Sequence, residues 1–261
     1  MSILSRLQAE AYRRVSSAKQ RISAEQMRSL AEQAPAGHFE FEKAICKSGL
    51  SFICECKKAS PSKGLIDPEY DYIKIAEQYQ AAGADCISVL TEPKWFKGDD
   101  EHLRRIAERV KLPCLRKDFT VDEYMIYQAK TLGASAVLLI CSLSDTDSLK
   151  KYIAICDKLG MSALTEAHNE QEIKSALKAG ARIIGVNNRN LGDFSVDKSN
   201  SLRLRQLVPA DVLFVAESGM NSPQDIKSMQ DAGVDAALIG EALMRSTDKS
   251  KTLQYLKSEI L

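Results

Sequence analysis

Five charged side chains lie at the ends of apolar segments that are typical of β-strands. They are Glu55, Lys57, Lys117, Glu166 and Glu217. A partly buried ionised group costs several kcal/mol unless it is paired or binds a ligand, so an apolar strand does not normally end in one. Lysines placed beside glutamates can act as general acids and general bases, which indicates an enzyme.

The residues around these charges indicate which way they point. Side chains alternate along a strand, so Ile53, Glu55 and Lys57 share one face, and Leu164 and Glu166 share another. The charges therefore continue the apolar faces of their strands. A fold that gathers the ends of these strands would bring the charges into contact with one another.

A turn made of a small residue, a glycine and a second small residue precedes an apolar segment four times. Its glycines, Gly83, Gly133, Gly180 and Gly233, lie about 50 residues apart, a period that fits two strand–helix units per repeat. The charged segments lie between the marked ones, which makes eight strands alternating with helices. The sequence therefore predicts an α/β fold, a (β/α)8 TIM barrel, in which the carboxyl ends of the strands meet at one mouth.

Residues 1–46 precede the first strand and carry two stretches with helical spacing of apolar residues, among them Leu7 and Ala11. An apolar stripe on a helix must be buried, so we predict a helical N-terminal extension at 1–46 that packs on a catalytic barrel at 47–261. Placement at the mouth and placement at the bottom of the barrel fit the sequence equally.

The composition narrows the class of function. The chain has 261 residues, 44% of them hydrophobic, and a net charge of +1 with both signs mixed throughout. We therefore expect no nucleic-acid partner and no membrane surface. The seven cysteines show no zinc-binding spacing and are typical of reduced thiols in a cytoplasmic protein, and no nucleotide fingerprint is present, so we expect neither metal nor cofactor. For His168, two residues after Glu166, we favour a structural hydrogen bond in a loop over a place at the mouth.

Two glycine-containing turns predict a phosphate site. Ser218-Gly219 follows the seventh strand and Gly240-Glu241 follows the eighth, the loops that commonly bind phosphate esters in such barrels through backbone N–H groups. The loop 57–68 after the first strand is long and contains three lysines, which suits an anionic ligand.

Other side chains at the predicted mouth suggest the rest of the ligand. Asn187 and Arg189 share a face at the end of the sixth strand, and an arginine there suits a carboxylate or a phosphate. Phe96 and Phe119 follow the second and third strands and could flank a planar ring. The predicted ligand is a small molecule that is anionic at both ends and flat and apolar between them.

Several motifs occur together in an order that resembles the indole-3-glycerol-phosphate synthase family of tryptophan biosynthesis. They run from the first strand to the eighth, so the resemblance covers nearly the whole chain; Asn190 stands where the family usually has Asp. The motifs are ECKKASPSKG at 55–64, SVLTE at 88–92, LRKDF at 115–119, GVNNRNL at 185–191, AESG at 216–219 and GEALM at 240–244.

The resemblance implies a decarboxylating, dehydrating ring closure of 1-(2-carboxyphenylamino)-1-deoxyribulose 5-phosphate, without a cofactor. It implies that Lys117 is the general acid and Lys57 holds the substrate carboxylate. Glu166 and Glu55 are the candidate bases, and Asn187 orients these groups. The implied substrate contacts are Ser60, Phe96, Phe119, Arg189, Leu191 and Glu217, and the implied phosphate contacts are Ser218, Gly219, Gly240 and Glu241.

Two other functions remain open on the sequence. One is a different phosphosugar enzyme on the same barrel, either an isomerase or an aldolase that forms a Schiff base on Lys117 or Lys57. The other is a non-catalytic barrel that binds a phosphosugar. We expect a monomer, with a weak homodimer as the alternative.

Overall fold

Eight parallel strands form a closed barrel in the computed structural model, which describes residues 2–190 and 192–260. Each strand pairs with the next along the chain, and the eighth pairs with the first. The predicted TIM barrel is confirmed. The strands are β1 (Ser51–Cys56), β2 (Cys86–Leu90), β3 (Cys114–Lys117), β4 (Ala136–Ile140), β5 (Ser162–Ala167), β6 (Ile183–Asn187), β7 (Leu213–Glu217) and β8 (Ala236–Ile239).

Helices connect the strands and surround the barrel. Among the described residues they are α1 (Ile3–Arg21), α2 (Ala24–Gln33), α3 (Glu40–Ile45), α4 (Tyr72–Ala81), α5 (Asp100–Arg109), α6 (Glu123–Thr131), α7 (Thr146–Lys158), α8 (Glu170–Ala179), α9 (Ser199–Arg205), α10 (Pro223–Asp231), α11 (Glu241–Arg245) and α12 (Lys249–Lys257). None of these helices is long and apolar enough to cross a bilayer.

The repeated glycine turn has a conformational cause. Gly180 ends α8 in the left-handed region, with φ of 87°, and its N–H bonds back to the last turn of the helix. Gly83, Gly133 and Gly233 also have positive φ. Glycine takes this conformation without the steric cost that a Cβ imposes, so the turn that ends a helix and starts the next strand recurs with the same residue.

Helices α1 and α3 of the N-terminal segment lie at opposite ends of the barrel. Ile3 and Leu7 of α1 reach the mouth, where they line the large cavity described below. The short helix α3 lies at the opposite end: the N–H of Glu42 donates to the hydroxyl of Ser162, at the start of β5, and Phe41 is fully buried. Both placements that the sequence left open are therefore used. Helix α3 was not predicted, because six residues are too few to show a helical period.

The register of the sheet places the predicted residues side by side. Leu90 is paired with Lys117, Ile140 with Glu166 and Asn187 with Glu217, all at the carboxyl ends of their strands. Adjacent strands in a barrel are staggered, and their carboxyl ends all lie at the same mouth, so these pairs of residues lie there too. The fold thus carries charged groups from β3, β5 and β7, and the neutral amide of Asn187 from β6, to a common site.

Candidate active site

A cavity of about 610 Å³ opens at the carboxyl ends of the strands. Its wall contains every site residue predicted from the sequence except Leu191, which lies outside the described residues. Those that line it are Glu55, Lys57, Ser60, Phe96, Lys117, Phe119, Glu166, Asn187, Arg189, Glu217, Ser218, Gly219, Gly240 and Glu241. The structure therefore brings together residues that are spread over almost 190 positions of the chain.

Lys117 lies between two carboxylates at the centre of the cavity. Its Nζ is 3.2 Å from Glu166 Oε2 and 3.2 Å from Glu217 Oε2. All three side chains are largely buried, with that of Lys117 13% exposed and each carboxylate 2% exposed. One ammonium group is thus held by two acids that come from strands on either side of β6.

These three groups have different proton affinities. Burial disfavours the charge on Lys117, but Glu217, Glu166 and Glu55 outweigh that effect and hold its pKa above the ordinary value. Burial also works against the charge on Glu166, but Lys117 and His168 together hold its pKa below the ordinary range. For Glu217, burial prevails over the attraction of Lys117 and raises the pKa to about 7. The two carboxylates on one lysine are therefore not equivalent: Glu166 is ionised, and Glu217 exchanges a proton near neutral pH.

A second acid–base pair lies beside the first. Lys57 Nζ forms an ion pair with Glu55 Oε1, and both side chains are largely buried. Gly240 packs against this pair: a Cβ at that position would lie 2.3 Å from Glu55 Oε1 and 2.9 Å from Lys57 Nζ. Glycine is required after β8 because the carboxylate of Glu55 occupies the space that any other side chain would need.

Asn187 connects the sixth strand to the catalytic centre. Its Nδ2 lies 3.5 Å from Glu166 Oε2, and its Oδ1 accepts a hydrogen bond of 3.0 Å from the N–H of Arg189. The guanidinium of Arg189 lies 3.4 Å from Glu241 Oε2. Glu241, the first residue of α11, also pairs with Lys63 and Arg245, so its carboxylate collects three cations at the edge of the cavity.

The predicted aromatic residues form one wall. The rings of Phe96 and Phe119 are 6.0 Å apart between centroids and inclined at 42°. Glu92 fixes the loop that carries Phe96, because its fully buried carboxylate accepts hydrogen bonds from the N–H groups of Lys94, Trp95 and Phe96. A flat apolar group would fit against this wall.

The loop after β7 has an unusual backbone. Ser218 has φ of 67° and Gly219 has φ of 90°. The side-chain amide of Asn188 stabilises the loop by donating to the carbonyl oxygen of Ser218, at 3.1 Å. Two successive residues in the left-handed region turn the backbone of this loop toward the cavity that both residues line.

The sequence did not identify every residue of the wall. Phe194 and Lys198 also line the cavity, but they lie in an irregular segment after β6, where neither spacing nor a motif marked them. His168 lies 3.3 Å from Glu166 Oε1 through its Nε2. The ring lies in the loop after β5, has a structural contact with Glu172 and does not line the large cavity, as the sequence predicted, but its contact with Glu166 was not foreseen.

Comparisons with known proteins show which family this chain belongs to. A model of the indole-3-glycerol phosphate synthase family matches residues 4–256. A protein of Ruminiclostridium cellulolyticum with that name is 53% identical over 256 residues, which cover 98% of each chain. The chain belongs to this family. Proteins of the same name from Lachnoclostridium phytofermentans and Endomicrobium trichonymphae are 50% and 53% identical, over 84% and 83% of this chain and 81% and 84% of theirs.

Solved structures of low sequence identity are similar to this chain in their fold only. A 3-hexulose-6-phosphate synthase has a TM-score of 0.66 at 14% identity, over 81% of this chain and all of the other. A thiamine phosphate pyrophosphorylase from Pyrococcus furiosus has a TM-score of 0.58 at 17% identity, over 81% of this chain and 95% of the other. Membership of this family makes the chain a carboxy-lyase of tryptophan biosynthesis.

Proposed function

We propose that the cavity at the barrel mouth closes the ring of 1-(2-carboxyphenylamino)-1-deoxyribulose 5-phosphate, with loss of carbon dioxide and water. The observation that carries the proposal is Lys117, a buried ammonium between the carboxylates of Glu166 and Glu217. When the aromatic carbon attacks the ketone, negative charge develops on the ketone oxygen, and a buried cation placed there both stabilises the charge and donates a proton.

Lys117 is the first acid in this scheme. A general acid contributes about 10²–10⁴-fold to the rate. The pKa of Lys117 is held above its ordinary value by the neighbouring carboxylates, so the ammonium form is present at neutral pH. Protonation of the ketone oxygen leaves a neutral amine, which Glu217, with its pKa near 7, is placed to reprotonate.

Lys57 and Glu55 serve the carboxylate end. The ammonium of Lys57 holds the substrate carboxylate beside the ring until the bond to that carbon breaks and carbon dioxide leaves. The electrons of that bond restore the aromatic ring. Arg189 lies in the same wall and assists in binding the anion.

Glu166 removes the ring-nitrogen proton in the dehydration step. At the same time the hydroxyl formed from the ketone leaves as water, with a proton supplied by Lys57 as the second acid. Support for this role comes from the ionised state of Glu166 and from the amide of Asn187 beside its Oε2. The Oε1 of Glu217 is buried and has no hydrogen-bond partner among the described residues, which suits a contact with a ribulose hydroxyl.

The phosphate end lies at the loops after β7 and β8. Ser218 and Gly219 offer a hydroxyl and N–H groups there, with Gly240 and Glu241 opposite, and Ser60 and Lys63 reach the same cavity from the first loop. Leu191, outside the described residues, stays a predicted substrate contact. Phe96 and Phe119 would flank the anthranilate ring.

We also propose the domain organisation, the cellular compartment and the oligomeric state of the enzyme. Residues 1–46 act as an extension of a single barrel at 47–261, supported by the burial of Leu7, Ala11 and Phe41 against the rest of the chain. The protein would work in the cytoplasm as a monomer, with a weak homodimer as the alternative that sedimentation would reveal.

The test is to mix the purified protein with the substrate in the presence of a chelator and without nucleotide. Indole absorbance and fluorescence report ring formation, and labelled carbon dioxide from a carboxyl-labelled substrate reports the bond that breaks. The proposal expects one carbon dioxide per indole. Tight binding with no product would contradict it.

A further inference from the structure

His168 directly follows β5 and lies behind Glu166 as seen from Lys117. Its Nε2 is 3.3 Å from Glu166 Oε1, while Lys117 Nζ is 3.2 Å from the other oxygen of the same carboxylate. The Nε2 atom is buried and has no hydrogen-bond partner among the described residues, so its contact with Glu166 is an ion-pair distance and not a well-aligned hydrogen bond. Glu166 is therefore held from both sides by nitrogen atoms.

Glu172 holds the other side of the imidazole. Its Oε2 lies 3.2 Å from His168 Nδ1 and accepts a hydrogen bond of 2.8 Å from the N–H of His168. The side-chain amide of Asn169, which caps the start of α8, donates to Glu172 Oε1 at 3.0 Å. Asn200 from α9 donates to the carbonyl of His168 at 3.2 Å. His168 is thus held in place by residues at the starts of α8 and α9 and at the end of β5.

The surroundings favour an imidazolium. A neutral ring has one N–H and one lone pair, so with carboxylates at both nitrogens it would face one of them with a lone pair. The acidic groups around the ring are Glu166 from β5, Glu172 from α8 and Asp197, which lines a second cavity with His168; Lys117 contacts the other oxygen of Glu166. Burial opposes the charge, but Glu166 and Glu172 raise the pKa of His168 to about 10.

Among the described residues, no histidine contacts Glu217 in the way that His168 contacts Glu166. Glu166 and Glu217 lie at the same distance from Lys117 and are equally buried. They differ in that Glu166 has His168 at its Oε1 and the amide of Asn187 3.5 Å from its Oε2, whereas Oε1 of Glu217 has no hydrogen-bond partner among the described residues. An opposite charge at this range stabilises the ionised form of a carboxylate.

We propose that His168, anchored by Glu172, is a positioning residue that orients Glu166 toward Lys117 and keeps it ionised, so that Glu217 takes the proton of the pair. The inference rests on the proposed role of Glu166 as the base. It explains how two similar carboxylates on one lysine serve different steps.

The test is the pH profile of indole formation in His168→Gln and Glu172→Gln. Removing an opposite charge at 4–6 Å moves a carboxylate pKa by about 1–3 units, so the acid limb of kcat/KM should move up by about one pH unit or more in His168→Gln. The loss of kcat should grow as the pH falls below 6 and should be largely absent at pH 8.5, with KM changed much less than kcat. Glu172→Gln should shift the limb in the same direction by a smaller amount.

Glu170→Gln is the matched control. Glu170 lies in the same first turn of α8 but is exposed and pairs with Lys174, so its profile should equal that of the wild type. A pH-independent loss of kcat in His168→Gln with an unmoved acid limb would overturn the proposal, because a purely structural residue would behave in that way. If His168→Gln does not fold, Glu172→Gln carries the same test.

Nitrogen-15 NMR of the histidines tests the charge without reference to turnover. The chain has three histidines, and the signal lost in His168→Gln should remain doubly protonated at pH 8. A midpoint below pH 7 for that signal would overturn the inference. If the wild type forms no indole, the proposed function fails, while the NMR titration still decides whether His168 carries the charge between Glu166 and Glu172.

Discussion

Replacing Glu217 by glutamine should change how stability depends on pH. The carboxyl has a pKa of about 7 in the folded protein against an ordinary value of 4.5, chiefly because it is buried. A carboxyl whose pKa is raised by folding is easier to protonate in the folded state. Its contribution to the free energy of unfolding is therefore fully present below pH 4.5 and is lost as the pH rises through 7.

The size of the effect follows from the two pKa values. A rise from 4.5 to about 7 at about 1.36 kcal/mol per pKa unit makes about 3 kcal/mol. Because glutamine keeps the shape and stays neutral, Glu217→Gln should match the wild type near pH 4. By pH 8.5 it should be more stable than the wild type by about 3 kcal/mol, within a factor of about two.

Urea unfolding of both proteins at pH 4, 6, 7 and 8.5 measures the difference directly. Titrating groups that do not couple to Glu217 act equally in both proteins and cancel, so the difference reports Glu217 together with its neighbours Lys117 and Glu166. Glu69→Gln, at an exposed position, is the control and should show no trend. A difference that stays constant within about 0.5 kcal/mol from pH 4 to 8.5 would refute the reasoning about the buried pair.

Two further predictions concern packing around the site. Gly240→Ala should lower kcat/KM by about 100-fold or more, as misplaced catalytic groups do, because the new Cβ would lie 2.3 Å from Glu55 Oε1; steady-state kinetics checks it, and an unchanged kcat/KM would contradict it. Arg14→Met should lower the stability in urea unfolding by at most about 3–5 kcal/mol, because it removes the guanidinium 2.7 Å from the buried carboxylate of Asp118 and leaves Arg116, 3.8 Å away, as the remaining cation. The neighbouring Arg13→Met removes an exposed guanidinium and should leave the urea midpoint almost unchanged; equal losses in the two variants would count against the argument.

The fold and most of the site could be predicted from local features of the sequence. A strand that ends in Glu166 or Lys117 reveals an unusual environment by itself, since ionised groups do not end apolar segments without a partner. The repeated glycine turn sets the strand count because the left-handed helix end demands that residue. Alternation then decides which side chains point to a common mouth.

What could not be predicted depends on distances between separate segments. Phe194 and Lys198 enter the cavity because an irregular loop turns inward after β6, which no period reports. His168 lies in a loop, as predicted, but its contact with Glu166 depends on the fold of the segment after β5, which no local pattern shows. The difference in proton affinity between Glu217 and Glu166 could not be predicted either, because the sequence does not show that both contact the same lysine.

The role of Lys117 as the first acid is the central claim, and substrate turnover by Lys117→Ala tests it most directly. Lys94→Ala, which removes a half-exposed lysine, is the matched control and should keep wild-type activity. The account predicts that Lys117→Ala folds, still binds a phosphate-bearing product analogue and forms indole at least about 100-fold more slowly. Turnover by Lys117→Ala above about a tenth of the wild-type rate would contradict it, since a general acid contributes at least about 10²-fold.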